Sequence, residues 1–298
     1  MKAAPFSYVR PATLDGVVAE LAAADGEGKV LAGGQSLAPL LAMRLARPRT
    51  LIDINAAAGL DTLEVRDGVL RIGATVRQRD VEYSQLAAAV PALGLALPFV
   101  GHRELRSRGT ICGSLAHADP AAELPAISCC VDAKLDITGP GGRRWLPADG
   151  FFLGTMTTAL ACDEVLAAVE FPVAQPGEGF GFAEVARRHG DFAIAGVVTR
   201  VRVLDGVVVQ AVLAAFGVSA RPVIRDVTAQ LGEVLVTHHR DPSGEALREQ
   251  LASLGDMVDT AGDTHGSPAY RRRLLTALAA REFARAYQNA AARPAVQS

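Results

Sequence analysis

The chain of 298 residues is roughly twice as long as one ordinary domain, so two compact units, each with its own core, are expected. Half of the residues are hydrophobic, 21% are charged and the formal net charge is -2, which excludes a largely disordered chain and any basic field that would hold nucleic acid. The longest uncharged apolar stretch, residues 86–101, is shorter than the roughly 18 residues of a membrane span and is broken by Pro91 and Pro98. The opening Lys2, Pro5, Ser7 and Arg10 lacks a signal-peptide core, so a cytoplasmic protein without a membrane span is expected.

Residues 13–24 carry Leu14, Val17, Val18 and Leu21 at helical spacing, with Thr13 placed to cap the first turn. Residues 29–32 read as a short strand and Gly33-Gly34 as a sharp turn. Leu37, Leu40, Leu41 and Leu45 form the apolar face of a second helix, which Pro48 ends before a strand at residues 50–54. Together these make a small βαβ unit, which implies parallel strands. Beyond Asn55, Leu63, Val65, Val69, Leu70 and Ile72 flank Asp67-Gly68 in the pattern of a β-hairpin, and a second subdomain begins.

Residues 80–133 have mainly helical composition around a glycine-rich segment, and residues 135–137 and 144–146 suggest a hairpin around Gly139, Gly141 and Gly142. A strand at residues 165–171 ends at Pro172, and the run Gln175-Pro176-Gly177-Glu178-Gly179 reads as a linker. Beyond it, residues 182–188, 195–204 and 207–216 read as a three-stranded meander turned partly at Asp205-Gly206, followed by helices. The expected division is therefore 1–176, split into a βαβ subdomain 1–57 and a mixed-sheet subdomain 58–176, then 177–290, with a loose Ala-Pro-rich tail 291–298.

Two glycine-containing turns stand out, Ala32-Gly33-Gly34-Gln35-Ser36-Leu37 and Thr110-Ile111-Cys112-Gly113-Ser114. Glycine lets a backbone approach a phosphate closely, and free amides at a helix start donate to its oxygens, so a pair of such turns could grip a pyrophosphate. Either alone also fits an ordinary tight turn, and neither is a Walker loop or a G-x-G-x-x-G fingerprint. Cys112, Cys129, Cys130 and Cys162 are not spaced as metal or iron-sulfur ligands and read as buried thiols. His238 and His239 read as solvated, with no third ligand to suggest a metal site. The run Arg271-Arg272-Arg273 reads as a solvated helix face or a subunit contact.

Both turns, the second extended through Leu115-Ala116-His117-Ala118-Asp119-Pro120, resemble the two flavin motifs of the medium subunit of the carbon monoxide dehydrogenase and xanthine dehydrogenase family of molybdenum hydroxylases. Ala186-Arg187-Arg188-His189-Gly190-Asp191-Phe192-Ala193 resembles that family's R-R-x-G-D-[FY]-A segment, and the opening Phe6-Ser7-Tyr8 followed by Pro11 also fits. The blocks come in the family's order and approximate spacing, so the likeness covers nearly the whole chain.

The resemblance implies an α+β fold: a two-subdomain FAD-binding domain of the vanillyl-alcohol-oxidase type, followed by a three-stranded antiparallel sheet with helices. It also implies FAD in this chain, its diphosphate held by Ala32, Gly33, Gly34, Gln35, Ser36 and Leu37 and by Thr110, Ile111, Cys112, Gly113 and Ser114. Glu123 takes the family's acidic position beside the cofactor, Leu166 a flavin-packing position, and Phe192 the place where some relatives have tyrosine. Two departures stand out: Cys112 replaces the first glycine of T-I-G-G, and Glu123 stands where aspartate is more usual. The side chain at Cys112 implies φ below zero there. Glu123 also fits an ordinary surface helix carboxylate, and His117 is left between a cofactor contact and a purely structural role.

Of Arg187 and Arg188, alternating on a strand, at most one should face the cofactor. In the family, [2Fe-2S] clusters on a small subunit and molybdopterin on a large one feed electrons to FAD for an external acceptor, in a dimer of heterotrimers. No catalytic residue of its own is implied for this chain. Two rivals are a self-contained oxidase of the vanillyl-alcohol type and a cofactor-free assembly subunit.

Overall fold

The computed structural model describes residues 2–241, 244–260 and 262–292. The first unit is β1 (Ser7–Val9), α1 (Leu14–Ala23), β2 (Gly28–Leu31), α2 (Leu37–Ala42) and β3 (Thr50–Asp53). Thr13 caps α1 by accepting a hydrogen bond from the Gly16 amide, and Val17 and Leu21 are the buried face of that helix. The three strands pair in parallel in the order β1-β3-β2, as the βαβ pattern requires. β1 is an addition to the sequence reading: three residues, two of them exposed, carry no alternation long enough to detect.

Next come β4 (Leu63–Arg66), β5 (Val69–Gly73), α3 (Gln78–Tyr83), α4 (Pro91–Ala96), α5 (Arg103–Arg106), α6 (Ile111–His117), α7 (Glu123–Cys130), β6 (Lys134–Gly139), β7 (Gly142–Pro147), β8 (Phe152–Gly154), β9 (Thr157–Thr158) and β10 (Val165–Pro172). The larger sheet runs β4-β5-β10-β6-β7, and every pairing in it is antiparallel, where a mixed sheet was expected. Hairpin strands need only tight turns, and β10, the last strand of this part of the chain, enters between the two hairpins β4-β5 and β6-β7. All eight residues of α7 are buried, the mark of a helix enclosed on every side.

The chain continues through β11 (Glu178–Val185), β12 (Ala195–Leu204), β13 (Val207–Phe216), β14 (Val223–Asp226), α8 (Thr228–His238), α9 (Glu245–Gln250) and α10 (Pro268–Ala291). Three corrections arise here. The sheet has four strands, β14 pairing antiparallel with β13. β11 already begins at Glu178, which is buried, so only residues 175–177 remain of the expected linker. It ends at Val185, leaving Arg187 and Arg188 both exposed in the loop that follows, so strand alternation does not sort them.

α10 lies against β11 because Gly179 and Gly181 offer no side chain: a Cβ there would fall 2.0 Å from Ala286 O and 2.4 Å from Glu282 O. Arg271 is not solvated. Its guanidinium is buried, donating to the carbonyls of Ile194 and Gly217 and pairing with Asp263 at 2.7 Å, while Arg272 and Arg273 are exposed. His239, in turn, is part-buried against Tyr287 with ring centroids 4.5 Å apart. Cys162 is exposed, unlike the other three thiols. The tail reading falls mostly on residues 293–298, outside the described ones.

One hydrophobic core joins Phe180, Phe182, Val198 and Phe216 of the four-stranded sheet to Leu93, Leu97, Ile127 and Cys130 of the preceding helices. A second core lies between the other face of that sheet and α8–α10.

Candidate functional site

The first turn connects β2 to α2. Gly34 has φ +72°, a left-handed conformation that a side chain would strain, and Gln35 folds back so that its Nε2 donates to Gly33 O at 2.9 Å. Among the described residues the amides of Gly33, Gly34, Gln35 and Ser36 donate to no group of the chain, so they remain free for an acceptor. Ser36 is exposed and Ala32, Gly33, Gly34, Gln35 and Leu37 are half-buried.

The second turn opens α6. Thr110 is its N-cap in extended conformation (φ -116°), and its hydroxyl accepts from the Gly113 amide at 3.0 Å. Ser114 follows on the same helix, half-buried, and its amide bonds Thr110 O. Ile111 is fully buried and anchors the turn. Cys112 has no positive φ, as its side chain demanded; it sits in the helical first turn with Sγ 3.6 Å from Ile72 O. Burial pushes that thiol up to about 12, so it stays protonated and acts as an apolar plug.

The first turn touches the backbone that leads into the second: a Cβ on Gly33 would lie 2.2 Å from Arg108 O and 2.8 Å from Gly109 Cα, so the absent side chain makes room for those two residues. Around this seam, Asn55 donates to Ala32 O at 2.9 Å and accepts from Arg77 Nη2 at 2.6 Å, while Arg77 Nη1 donates to Arg108 O at 2.8 Å. Asn55 is held in turn by Asp53, whose carboxylate also receives the Tyr8 hydroxyl. The Tyr8 and Asn55 bonds hold the Asp53 carboxyl below the usual range against the opposing cost of its burial. Nothing in the sequence pattern marked Asn55 or Arg77, because they meet the turns only through tertiary packing.

Beyond α6, His117 is half-buried in the last turn, and burial lowers its pKa, with Lys29 adding to the effect and Asp119 opposing it. Glu123 is the first residue of α7 and is buried, not the surface carboxylate that the sequence also allowed. Burial raises its pKa to about 7, and burial together with the Glu123 charge raises that of Glu184 on β11 to about 8. The Glu184 Oε2 atom is buried with no hydrogen-bond partner among the described residues, and nothing in the sequence pattern marked this residue.

Leu166 lies in the core on β10. Phe192 is 73% exposed in the loop between β11 and β12. That loop is seated by His189, whose ring stands 5.4 Å from Phe99, and by Gly190, whose Cβ would meet His102 at 2.7 Å.

Residues 4–174 match the FAD-binding domain of molybdopterin dehydrogenases, and residues 180–286 match the C-terminal domain of the carbon monoxide dehydrogenase flavoprotein. The chain belongs to the FAD-binding medium subunits of the molybdenum hydroxylases. Among this family, the nicotine 6-hydroxylase medium subunit of Paenarthrobacter nicotinovorans is 32% identical over 96% of this chain and 99% of its own. The carbon monoxide dehydrogenase medium chain of Hydrogenophaga pseudoflava is 38% identical over 64% of this chain and 67% of its own. Of solved structures, quinoline 2-oxidoreductase from Pseudomonas putida 86 superposes with a TM-score of 0.88 at 34% identity, covering 97% of this chain and 99% of that one.

The medium subunit is thus an oxidoreductase component with an FAD-binding domain and an α+β fold. No helix among its described residues is long and apolar enough to cross a membrane.

Proposed function

We propose that this subunit binds FAD between the Ala32–Leu37 and Thr110–Ser114 turns and carries electrons from [2Fe-2S] clusters of a small partner subunit to an external acceptor. The observation that carries the reading is the seam itself: the first turn in backbone contact with the two residues that lead into the second, with the amides of Gly33 to Ser36 left unbonded among the described residues. Such a cradle fits a diphosphate, whose oxygens need several convergent donors and tolerate no Cβ between them and the main chain.

When bound, FAD supplies the redox chemistry, exchanging electrons singly with clusters and singly or in pairs with an acceptor. The chain's own residues bind and orient it. Gly34 keeps the first turn in its left-handed conformation, and Thr110 keeps the Gly113 amide in the cap, which fixes the start of α6. Glu123, whose pKa burial raises to about 7, is partly protonated at neutral pH and so is suited to donate or accept one hydrogen bond at the flavin end. Phe192 offers an exposed ring to cover a flavin face, and Leu166, buried on β10, would contribute apolar packing to the flavin side. The division near residue 176 then separates the FAD-binding part from a C-terminal unit that carries the Phe192 loop and rests it on Phe99 and His102.

Four cysteines, three of them buried, provide no cluster ligands, so the clusters and the molybdopterin belong to partner chains, in an assembly we place as a dimer of heterotrimers. Relatives named for carbon monoxide, caffeine, nicotine and xanthine share this subunit's pattern, which fits a substrate chosen elsewhere in the complex. The test is to express the chain alone and together with its genomic neighbours. One FAD per chain, released to the supernatant by acid, and substrate-driven dye reduction only in the complex are expected. Turnover by the lone chain as fast as by the complex would favour a self-contained oxidase, and a colourless chain an assembly subunit.

A further inference from the structure

We propose that Asn55 and Arg77 form a brace that sets the separation of the two diphosphate-binding turns, and so act as positioning residues for FAD. The inference rests on the turns being the FAD site, and goes beyond it by assigning the spacing between them to two side chains that lie in neither.

The geometry is a continuous bridge. Ala32 O, the last carbonyl before the first turn's glycines, accepts from Asn55 Nδ2 at 2.9 Å. Asn55 Oδ1 accepts from Arg77 Nη2 at 2.6 Å, and Arg77 Nη1 donates to Arg108 O at 2.8 Å, two residues before the Thr110 cap. Arg108 O is the same atom that fills the space of a Gly33 side chain. One carbonyl is therefore pressed by the first turn and held by the brace. Both ends are anchored separately. Asn55 receives a second constraint from Asp53 Oδ1, bonded by its main-chain amide at 2.9 Å and its Nδ2 at 2.6 Å. At the other end, Arg77 and Thr110 form an isolated antiparallel bridge, and Gln78 N donates to Gly109 O at 2.8 Å.

The residue types suit this task. Only a planar guanidinium presents two donors in a fixed fork, so Arg77 can span two acceptors on different subdomains at once; a lysine ammonium is a compact point charge. The Asn55 amide supplies both, its Nδ2 the donor for Ala32 O and its Oδ1 the acceptor for Arg77, on two separate atoms. Arg77 is half-buried, and burial with the nearby Arg108 charge lowers its pKa, so its positive charge is held where desolvation disfavours it. Holding a charge there needs compensation, and the two fixed acceptors provide it. A cofactor phosphate beside the seam would add more, coupling the brace to occupancy of the site.

The experiment titrates FAD into the flavin-stripped full chain and its variants, well below each variant's melting midpoint so that unfolding does not enter. Arg77→Met, which keeps the aliphatic stem, and Asn55→Ala are each expected to weaken FAD binding on the order of tenfold. The double variant should be no weaker than the weaker single one, because one bridge is broken only once. Arg77→Lys should also bind FAD several-fold more weakly.

Wild-type affinity in Arg77→Lys would assign the effect to charge alone and overturn the brace. So would fold-changes that multiply in the double variant, or variants that melt earlier while binding FAD as the wild type does. Gly34→Val serves as the control for the underlying site. If it abolishes binding while the brace variants do not, the brace fails and the site stands; if it leaves binding unchanged, both fail.

Discussion

Single residues at the site divide into those that shape main chain and those that hold charge. Gly34 needs its left-handed φ, whereas Arg272 is an exposed arginine on α10. Gly34→Val is therefore expected to lower the flavin-to-protein ratio severely and Arg272→Ala to leave it unchanged, as absorbance of the purified chains would show. Equal ratios would mean that the first turn does not hold the cofactor. Glu123 and Glu184 belong to the other kind. Both are raised above the ordinary 4.5, to about 7 and about 8, so the folded flavin-free chain keeps protons that the unfolded chain releases. Their contribution to stability is full below about pH 4.5 and is lost as pH rises through the folded values. Denaturant midpoints measured at about pH 5 and about pH 8 should fall by less in Glu184→Gln than in the wild type. An identical pH response in the two proteins would show that Glu184 is not titrating as its burial demands.

Among the elements, what the sequence disclosed depended on the reach of the interaction that forms each one. α1 was legible because its cap and its apolar spacing are local, and the hairpin turns at Asp67-Gly68 and Asp205-Gly206 were legible because both members take positive φ, at 50° and 76° and at 49° and 79°. β1 and β14 were not: each is three or four residues long, too short for a pattern of its own, and exists only by pairing, β1 with the distant β3 and β14 with the edge of β13. The glycine turns stood out as turns, yet the reason for Gly33 did not, since the atom it accommodates comes from Arg108. Glu123 was placed from resemblance alone, and its burial follows only from the enclosure of α7. Thr110→Ala, which leaves the Gly113 amide without its cap, is expected to cost about 1 kcal/mol of stability. Chemical denaturation of the flavin-free chain measures this directly, and a change below a few tenths of a kcal/mol would mean that water replaces the hydroxyl there.

For the molecule as a whole, the tie at Arg271 connects the start of α10 to the two carbonyls Ile194 and Gly217, which bound β12 and β13. Arg271→Ala strands those buried acceptors and should cost on the order of 3 kcal/mol, against little for Arg273→Ala. Matching melting temperatures for the two variants would remove Arg271 from this role.

The hydrophobic core shared by Phe180, Phe182 and Phe216 with Leu93, Leu97 and Ile127 runs straight through the place where the two family matches adjoin. Sequence families divide there, but side-chain packing does not. Recombination between relatives at that point would therefore juxtapose two halves of a packed interior that have never been selected together. Chimeras joining residues 1–176 of this chain to another relative's C-terminal unit should fold poorly unless the facing phenylalanine and leucine positions are exchanged as a set.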